Sequence, residues 1–326
     1  MREHSKGGSG SAQREMHMTA DAEQSRGRGG WWRRWGEETL AAYLFLSPSL
    51  LVFAAFVFFP LFFSFYASLT RWNLPFRPTF IGLENYRYLF FDELGARDFY
   101  GAVVNSFYYA LGVPLNMAVS LLIALFLSRR LQGVGLFRTA YFLPTITSTV
   151  AISVVWMWIY HPADYGLANS ILLKLGLSPL RWLRDPTLAM PALIIMGIWH
   201  GMGYNVIIFL AGLQSIPHRL YEAAEIDGAG AGAKFFKITW PLLGPTTFFV
   251  LVIGVINSLK AFAQMDVMTQ GGPLGATTTI TYYLYQEAFE HFAMGRASAI
   301  ACILFALLLL LTLIQFRFVG ARVHYE

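Results

Sequence analysis

Charge is what this chain has least of. Asp, Glu, Lys and Arg make up 13% of its 326 residues, against ~25% in an ordinary soluble protein. Hydrophobic residues reach 56% and fall in long uninterrupted blocks, which excludes a soluble enzyme and a disordered chain. Cysteine is nearly absent: the one thiol, Cys302, lies in an apolar run, so no intrachain disulfide can form and a disulfide scaffold is excluded. The net charge is +5 with dispersed bases. The pI near 9.3 therefore reads as basic loops beside membrane spans rather than a nucleic-acid footprint. What remains is an all-α polytopic membrane protein.

Catalytic and energy-converting chemistry is missing too. The run Gly228 to Lys234 lacks the glycine that precedes the lysine of a phosphate loop, and Phe235 stands where Ser or Thr would hold magnesium. Ala233 likewise spoils a GxGxxG reading. The candidate spans hold no Asp, Glu or Arg, and Lys260 lies near a span end. His200 is the one candidate proton carrier deep in a span; a structural histidine, hydrogen-bonded beside Trp199 and Tyr204, is favoured over a relay. Glu287 and His291 have a spacing that could hold a metal, but an exposed amphipathic helix explains them more simply. No Ser/His/Asp or Cys/His constellation suggests itself, so no catalysis is expected from this chain alone.

A bilayer span needs ~20 largely apolar residues. Six segments qualify: 43–69, 99–128, 139–160, 188–213, 242–260 and 297–316. Residues 1–38 are expected to form a disordered cytoplasmic tail that ends in an interfacial doorstep of Trp31, Trp32, Arg33, Arg34 and Trp35. The apolar run that follows is too long for a signal h-region, so it is expected to stay attached as the first span. Residues 39–326 form the six-span domain. Most of the 24 Lys and Arg residues fall in 1–39, 128–138, 213–241 and 317–326, with Arg129, Arg130 and Arg138 crowded into one short loop. The positive-inside rule then places both termini in the cytoplasm. The connections 70–98, 161–187 and 264–296 face outward and are predicted to carry short helices. No soluble domain exists in the chain, so the energy for any transport comes from an ion gradient or a partner.

The one large cytoplasmic structure is the loop 214–241. Pro217 stops the fourth span. A helix-favouring stretch, Leu220 to Gly228, ends in a glycine suited to a left-handed C-cap. A second short helix is predicted from about 233 to 239, closed by Pro241. Ala223 and Ala224 offer a small-residue face, and Glu222, Glu225 and Asp227 on one arm oppose Lys234 and Lys237 on the other.

The run EAAEIDGAGAGAKFFKITWP, residues 222–241, resembles the EAA motif of the integral-membrane subunits of binding-protein-dependent ABC importers. Glu222-Ala223-Ala224, then Gly228, then Ile238 and Pro241 stand at the family's spacing, with Trp240 replacing a leucine. A second set is similar to carbohydrate-type permeases, including maltose and glycerol-phosphate types. It comprises Met268 to Pro273, Thr277 to Thr279, Tyr285, Phe289 and Gly295 to Ala299, with Phe59-Pro60, Ser68 to Thr70 and Gly82 to Tyr86 upstream.

That resemblance implies a type I permease in the cell (inner, cytoplasmic) membrane, forming half of a path for a sugar or sugar-like solute. It implies as partners a second, distinct permease chain, two cytoplasmic ATPase subunits and an external solute-binding protein, all within the lipid membrane, and no nucleic acid. Mg-ATP is used by the ATPases; this chain binds no cofactor or metal. Glu222 would make a polar contact to the ATPase, Ala223 and Ala224 would pack closely, Asp227 would add polarity and Gly228 would form the turn. Gly201, Tyr204 and Asn205 fall near the sugar-lining positions of maltose-type permeases, which carry Asn where this chain has Gly197. Asn257 and Ser258 are further path candidates read from the span itself; interhelical hydrogen bonding is the competing role for Tyr204, Asn205 and Asn257. Trp156 and Trp158 are expected as interface anchors, and the uncharged spans suit a neutral sugar. A gradient-driven secondary transporter of a small neutral solute is the alternative, and a polytopic membrane enzyme a third.

Overall fold

The computed structural model describes residues 39, 42–128 and 134–318. The predicted tail, with Trp31 to Trp35, lies outside the described residues, as do Arg129, Arg130 and the side chain of Arg138. The described chain is mostly helical, and it divides into two units at Phe63.

The first unit is helical from Ala42 and belongs to α1 (Ala42–Ser68). Its side chains are exposed, Phe45, Leu51 and Phe56 among them, as befits a helix whose solvent is lipid. A wide π turn, Ala54–Phe58, closes with the Phe59 N–H on the Ala54 carbonyl, and Pro60 follows directly. A proline ring clashes with the carbonyl four residues back, and the wider turn gives it room.

In the second unit the chain leaves α1 through a two-stranded ribbon, β1 (Thr70–Arg71) and β2 (Thr79–Phe80), with Thr70 opposite Phe80. Then come α2 (Glu84–Phe91), α3 (Glu93–Ala110) and α4 (Gly112–Leu127), the last two forming one 35-residue apolar run. They are followed by α5 (Val134–Ile146), α6 (Thr149–Ile159), α7 (Leu167–Lys174) and α8 (Ala189–Ser215). The chain continues with α9 (His218–Ile226), α10 (Ala231–Leu242) and α11 (Gly244–Leu259). It ends in α12 (Ala263–Met268), α13 (Ile280–Tyr285) and α14 (Met294–Phe318). Four helices, α1, the α3–α4 run, α8 and α14, are long and apolar enough to cross a bilayer; the bent pairs α5–α6 and α10–α11 make six.

Those two pairs are bent, one within the expected span 139–160 and the other at the start of the expected span 242–260. Segment 139–160 bends by 113° between α5 and α6. Pro144 cannot donate within α5, and Ser148 takes an extended backbone with ψ 134°, so the helix cannot run through. Pro241 does not close the second helix of the cytoplasmic loop. It lies inside α10, preceded by a π turn, Phe235–Thr239, that closes with Trp240 N–H on Phe235 O, the same device seen before Pro60. The break falls instead at Leu243, ahead of Pro245, with a 63° bend. The ribbon β1–β2 is likewise unpredicted: two-residue strands are too short for an alternation signal.

Three buried clusters hold the second unit. The N-terminal end of α8, through Met190, Leu193 and Met196, packs against Ile152, Tyr160, Met265 and Met268. The other end, through Val206 and Phe209, packs against Leu121 and Ala124 of α4, Leu243 and Val250. A third cluster joins Leu89, Phe99, Leu259, Ile280 and Ile300. Helix α8 thus runs through two cores. Glycine lets it do so: a side chain at Gly203 would strike the Tyr141 carbonyl and Thr145 on α5, the small-residue contact expected between membrane helices.

Buried asparagines tie the connections down. Asn85 donates to the carbonyls of Ser68 (2.7 Å) and Thr70 (2.8 Å), which explains the Gly82 to Tyr86 motif physically. Gly295 is needed because a Cβ there would strike the Thr70 carbonyl. Asn169 donates to Leu180 O and accepts from Leu180 N and Trp182 Nε1 at 3.0 Å each. A buried amide so satisfied fixes loop geometry that apolar contacts alone leave loose.

Glu287 corrects the expectation of an exposed helix. It is 3% exposed, 2.7 Å from Arg296 Nε as an ion pair without hydrogen-bond alignment, and 3.1 Å from His291 Nδ1. Arg296 in turn lies 4.8 Å over the Tyr88 ring. Among the described residues no group of three or more acidic, His or Cys side chains could hold a metal. Trp156 is also corrected: it packs against Tyr160 and Trp199 in the core (ring centroids 5.0 and 5.7 Å), whereas Trp158 is 79% exposed.

Candidate functional site

Two places concentrate the candidate residues, and the first is the loop 214–241. Pro217, with φ −60°, sets the start of α9. At its other end Gly228 has φ +74°, a value glycine reaches without a Cβ penalty. Ala229 N–H reaches Ala224 O at 2.8 Å and Gly228 N–H reaches Glu225 O at 3.0 Å, the paired closing bonds of a Schellman motif. Glu225 then meets Lys234 Nζ at 2.6 Å, and the hydrogen bond and charge of Lys234 hold its carboxyl below the usual glutamate range. Tyr221 OH bonds Thr239 Oγ1 at 2.9 Å, joining α9 to α10 across the turn.

The candidates of this loop separate into two groups. Glu222, Ala223, Asp227, Gly228 and Pro241 are exposed and Ala224 half-buried; Glu222 carries a local pair to His218 at 3.0 Å. Ile238 instead packs, with Tyr221 and Phe235, on the core of α4, α8 and α11. It is an anchor of the knuckle rather than part of its contact face. Sequence reasoning missed Ile226 (88% exposed) and Phe236 (69% exposed). Large apolar side chains held out from a charged loop were the available signal.

The second place is a cavity of about 620 Å³. Gly201, Tyr204 and Asn205 of α8 and Asn257 and Ser258 of α11 all line it. The structure therefore brings together all five path candidates, from segments about fifty residues apart. They are not equivalent. Asn205 donates to Asn116 Oδ1 at 2.7 Å, and Asn116 donates to Ile198 O at 3.0 Å. That pair fastens α8 to α4. Ser258 is buried and bonds Val255 O in its own helix at 3.0 Å. Tyr204 and Asn257 are exposed and make no hydrogen bond to described residues.

Tyr109 and Gln264 line the cavity too, and neither carried a usable sequence signal. Tyr109 OH accepts from Gln264 Nε2 at 2.9 Å, a contact spanning 155 positions of chain. A side chain at Gly197 would collide with that hydroxyl, so the tyrosine reaches the space that a larger residue on α8 would fill. His200 lines the cavity and its Nε2 lies 3.3 Å from Thr147 O, a hydrogen-bonded histidine whose partner is the backbone at the α5–α6 break. Lys260 lines the cavity as well, which corrects the picture of an uncharged path: the residue read as a span end caps α11 beside Asn257.

Comparison with known proteins agrees with this geometry. The family model described as the inner membrane component of binding-protein-dependent transport systems matches residues 102–324. The chain is 36% identical over 295 residues to the probable ABC transporter permease protein YesP of Bacillus subtilis (strain 168), covering 89% of this chain and 94% of that one. The arabinooligosaccharides transport system permease protein AraP of the same organism is also 36% identical, with 90% and 92% covered. The sn-glycerol-3-phosphate transport system permease protein UgpA of Yersinia pestis is 36% identical, with 87% and 95% covered. Among solved structures, a bacterial ABC transporter that imports the acidic polysaccharide alginate superposes with a TM-score of 0.76 at 24% identity, over 89% of this chain and 99% of the other. A bacterial alginate ABC transporter in complex with a periplasmic protein bound to alginate pentasaccharide gives 0.75 over 86% and 94%. The glycine-capped knuckle, the helix order and these likenesses lead to one conclusion: the chain belongs to the family of binding-protein-dependent transport-system inner-membrane components, the permease subunits of ABC importers.

Proposed function

We propose that this chain forms half of the translocation path of an ATP-driven importer for a sugar or sugar-like solute. It would sit in the cytoplasmic membrane with both termini inside. An external binding protein delivers the solute, a second and distinct permease completes the path, and two cytoplasmic ATPases use Mg-ATP. The loop 214–241 seats on one ATPase. Glu222 and Asp227 set its register, Ala223 and Ala224 allow close approach, and Ile226 and Phe236 add apolar contact.

The observation that carries this reading is the dual anchoring of the knuckle. Its turn is closed locally by Gly228, while Tyr221, Phe235 and Ile238 bind it to the core containing α8 and α11. Those same helices supply Gly201, Tyr204, Asn205, Asn257 and Ser258 to the cavity. A push on the knuckle is therefore delivered to the cavity walls through packed side chains rather than through a loose linker. Rocking α8 against α11 would alternate access to the solute.

The test is gentle purification of the tagged chain from its own membrane, with Ala224→Arg as the control. Recovery of an ATPase and a second permease, with the ATPase lost in the control, supports the reading. A folded lone chain without ATPase, whose uptake collapses with an uncoupler while ATP is maintained, replaces it with gradient-driven transport.

A further inference from the structure

We infer that Lys260 reads an anionic group on the transported solute, so that the cavity takes an acidic or phosphorylated carbohydrate rather than a neutral one. This rests on the permease reading above and sharpens it to a substrate class.

The cavity lining is uneven in charge. Asn116, Asn205, Asn257, Gln264, Thr145, Tyr109 and Tyr204 supply neutral polar groups, and no Asp or Glu lines it; Lys260 is the one Lys or Arg that does. Its backbone is held in place. Leu259 before it is fully buried, and the Lys260 N–H closes α11 on Ile256 O at 3.2 Å. The side chain is exposed and has no ion pair or hydrogen bond among the described residues. A cation in a wall that holds no Asp or Glu among the described residues attracts a negative charge that enters the space.

Its neighbours suit a sugar. Asn257, one turn back along α11, is exposed and equally without a partner. Phe262, two residues on, also lines the cavity, and its ring is held at 4.9 Å by Tyr285 and at 6.1 Å by Tyr282. A cation, an amide and an aromatic ring held by two tyrosines thus fall within six consecutive residues of the cavity wall. The amide offers hydrogen bonds to hydroxyls, the ring takes the apolar face of a pyranose, and the cation favours an anion over a neutral group.

A lysine at a helix C-terminus also complements the helix dipole, and a purely structural lysine would do no more than that. The two roles separate experimentally. The complete importer, with its ATPases, second permease and binding protein, is reconstituted in proteoliposomes loaded with ATP. Uptake is followed for trigalacturonate, glucose 6-phosphate and neutral maltotriose, in wild type, Lys260→Gln and Lys260→Arg. The expected result is uptake of an anionic probe that falls about tenfold or more in Lys260→Gln, the loss of one charge-assisted contact. Lys260→Arg retains it within about threefold, and the melting temperature of the complex stays unchanged in both. Preference for trigalacturonate assigns a carboxylate, and preference for glucose 6-phosphate assigns a phosphate. Uptake of maltotriose alone, uptake of no probe by an importer whose ATPase remains coupled, or anionic uptake indifferent to Lys260→Gln overturns the inference. All three leave the permease reading intact, which fails separately if no ATPase accompanies the chain.

Discussion

The knuckle of loop 214–241 and the cavity are built on opposite plans. The knuckle is local: α9, the Gly228 turn and the Lys234–Glu225 contact are made by residues within about twenty positions, and each device follows from neighbouring chemistry. The cavity is assembled from α3, α4, α5, α6, α8, α11 and the segment 260–264, and its contacts join residues 53 to 155 positions apart. A local structure can be carried between proteins as a motif. A distributed one is free to change residue by residue, which is how one lever can serve many solutes.

The largest effect should come from breaking the local element. Gly228→Pro demands φ near −65° where the chain has +74°, so ATP-driven uptake should fall to background while the protein still inserts. Normal uptake by a stably inserted variant would remove Gly228 from the lever. Next comes the distributed element. Gly197→Leu forces Tyr109 out of its place and should lower uptake by about tenfold or more, with ATPase co-purification retained; loss of the ATPase instead would mean that the two regions are one unit.

Smaller effects test the fastenings. Glu287→Leu leaves Arg296 without its buried partner and should cost about 3 kcal/mol in unfolding of the purified complex. A double change with Arg296→Met should recover much of that, because no charge then remains uncompensated. Asn116→Leu leaves Asn205 and Ser120 without their shared acceptor and should cost about 1–2 kcal/mol, read as a lower melting temperature.

The smallest effect is at the surface. Lys234→Gln should change uptake by less than about twofold, since exposed pairs contribute little. The folded carboxyl of Glu225 titrates below its unfolded value. Its contribution is therefore complete above the ordinary glutamate range and is lost only as pH falls through the lowered folded value. Uptake in wild type and Lys234→Gln should have superimposable pH profiles from neutral down to that range; a divergence near neutrality would point to a different partner for Lys234.

Much of this was legible in the residues themselves. The six apolar segments, the glycine C-cap and the knuckle are consequences of short-range rules: apolar length against bilayer thickness, and a φ that only glycine reaches freely. The same rules misplaced the end of the second helix of loop 214–241. Proline at 241 reads as a stop, yet a π turn ahead of it lets the helix continue, and whether that turn forms depends on Tyr221, Phe235 and Ile238 finding their core. Glu287 read as exposed because its partner Arg296 lies nine positions on and pairs with it only after α14 has docked.

The sequence by itself determined that the chain lives in a membrane, that it spans with helices and that a glycine-capped helical knuckle joins two of its spans, because hydropathy, caps and turns act between neighbours. Only the tertiary structure decided which side chains share the cavity. Tyr109 faces Gly197, Asn205 is spent on Asn116, and Lys260 stands beside Asn257 with its charge unpaired. Those relations depend on how closely α4, α8 and α11 approach, and that distance is set by packing across the whole bundle rather than by any stretch of chain.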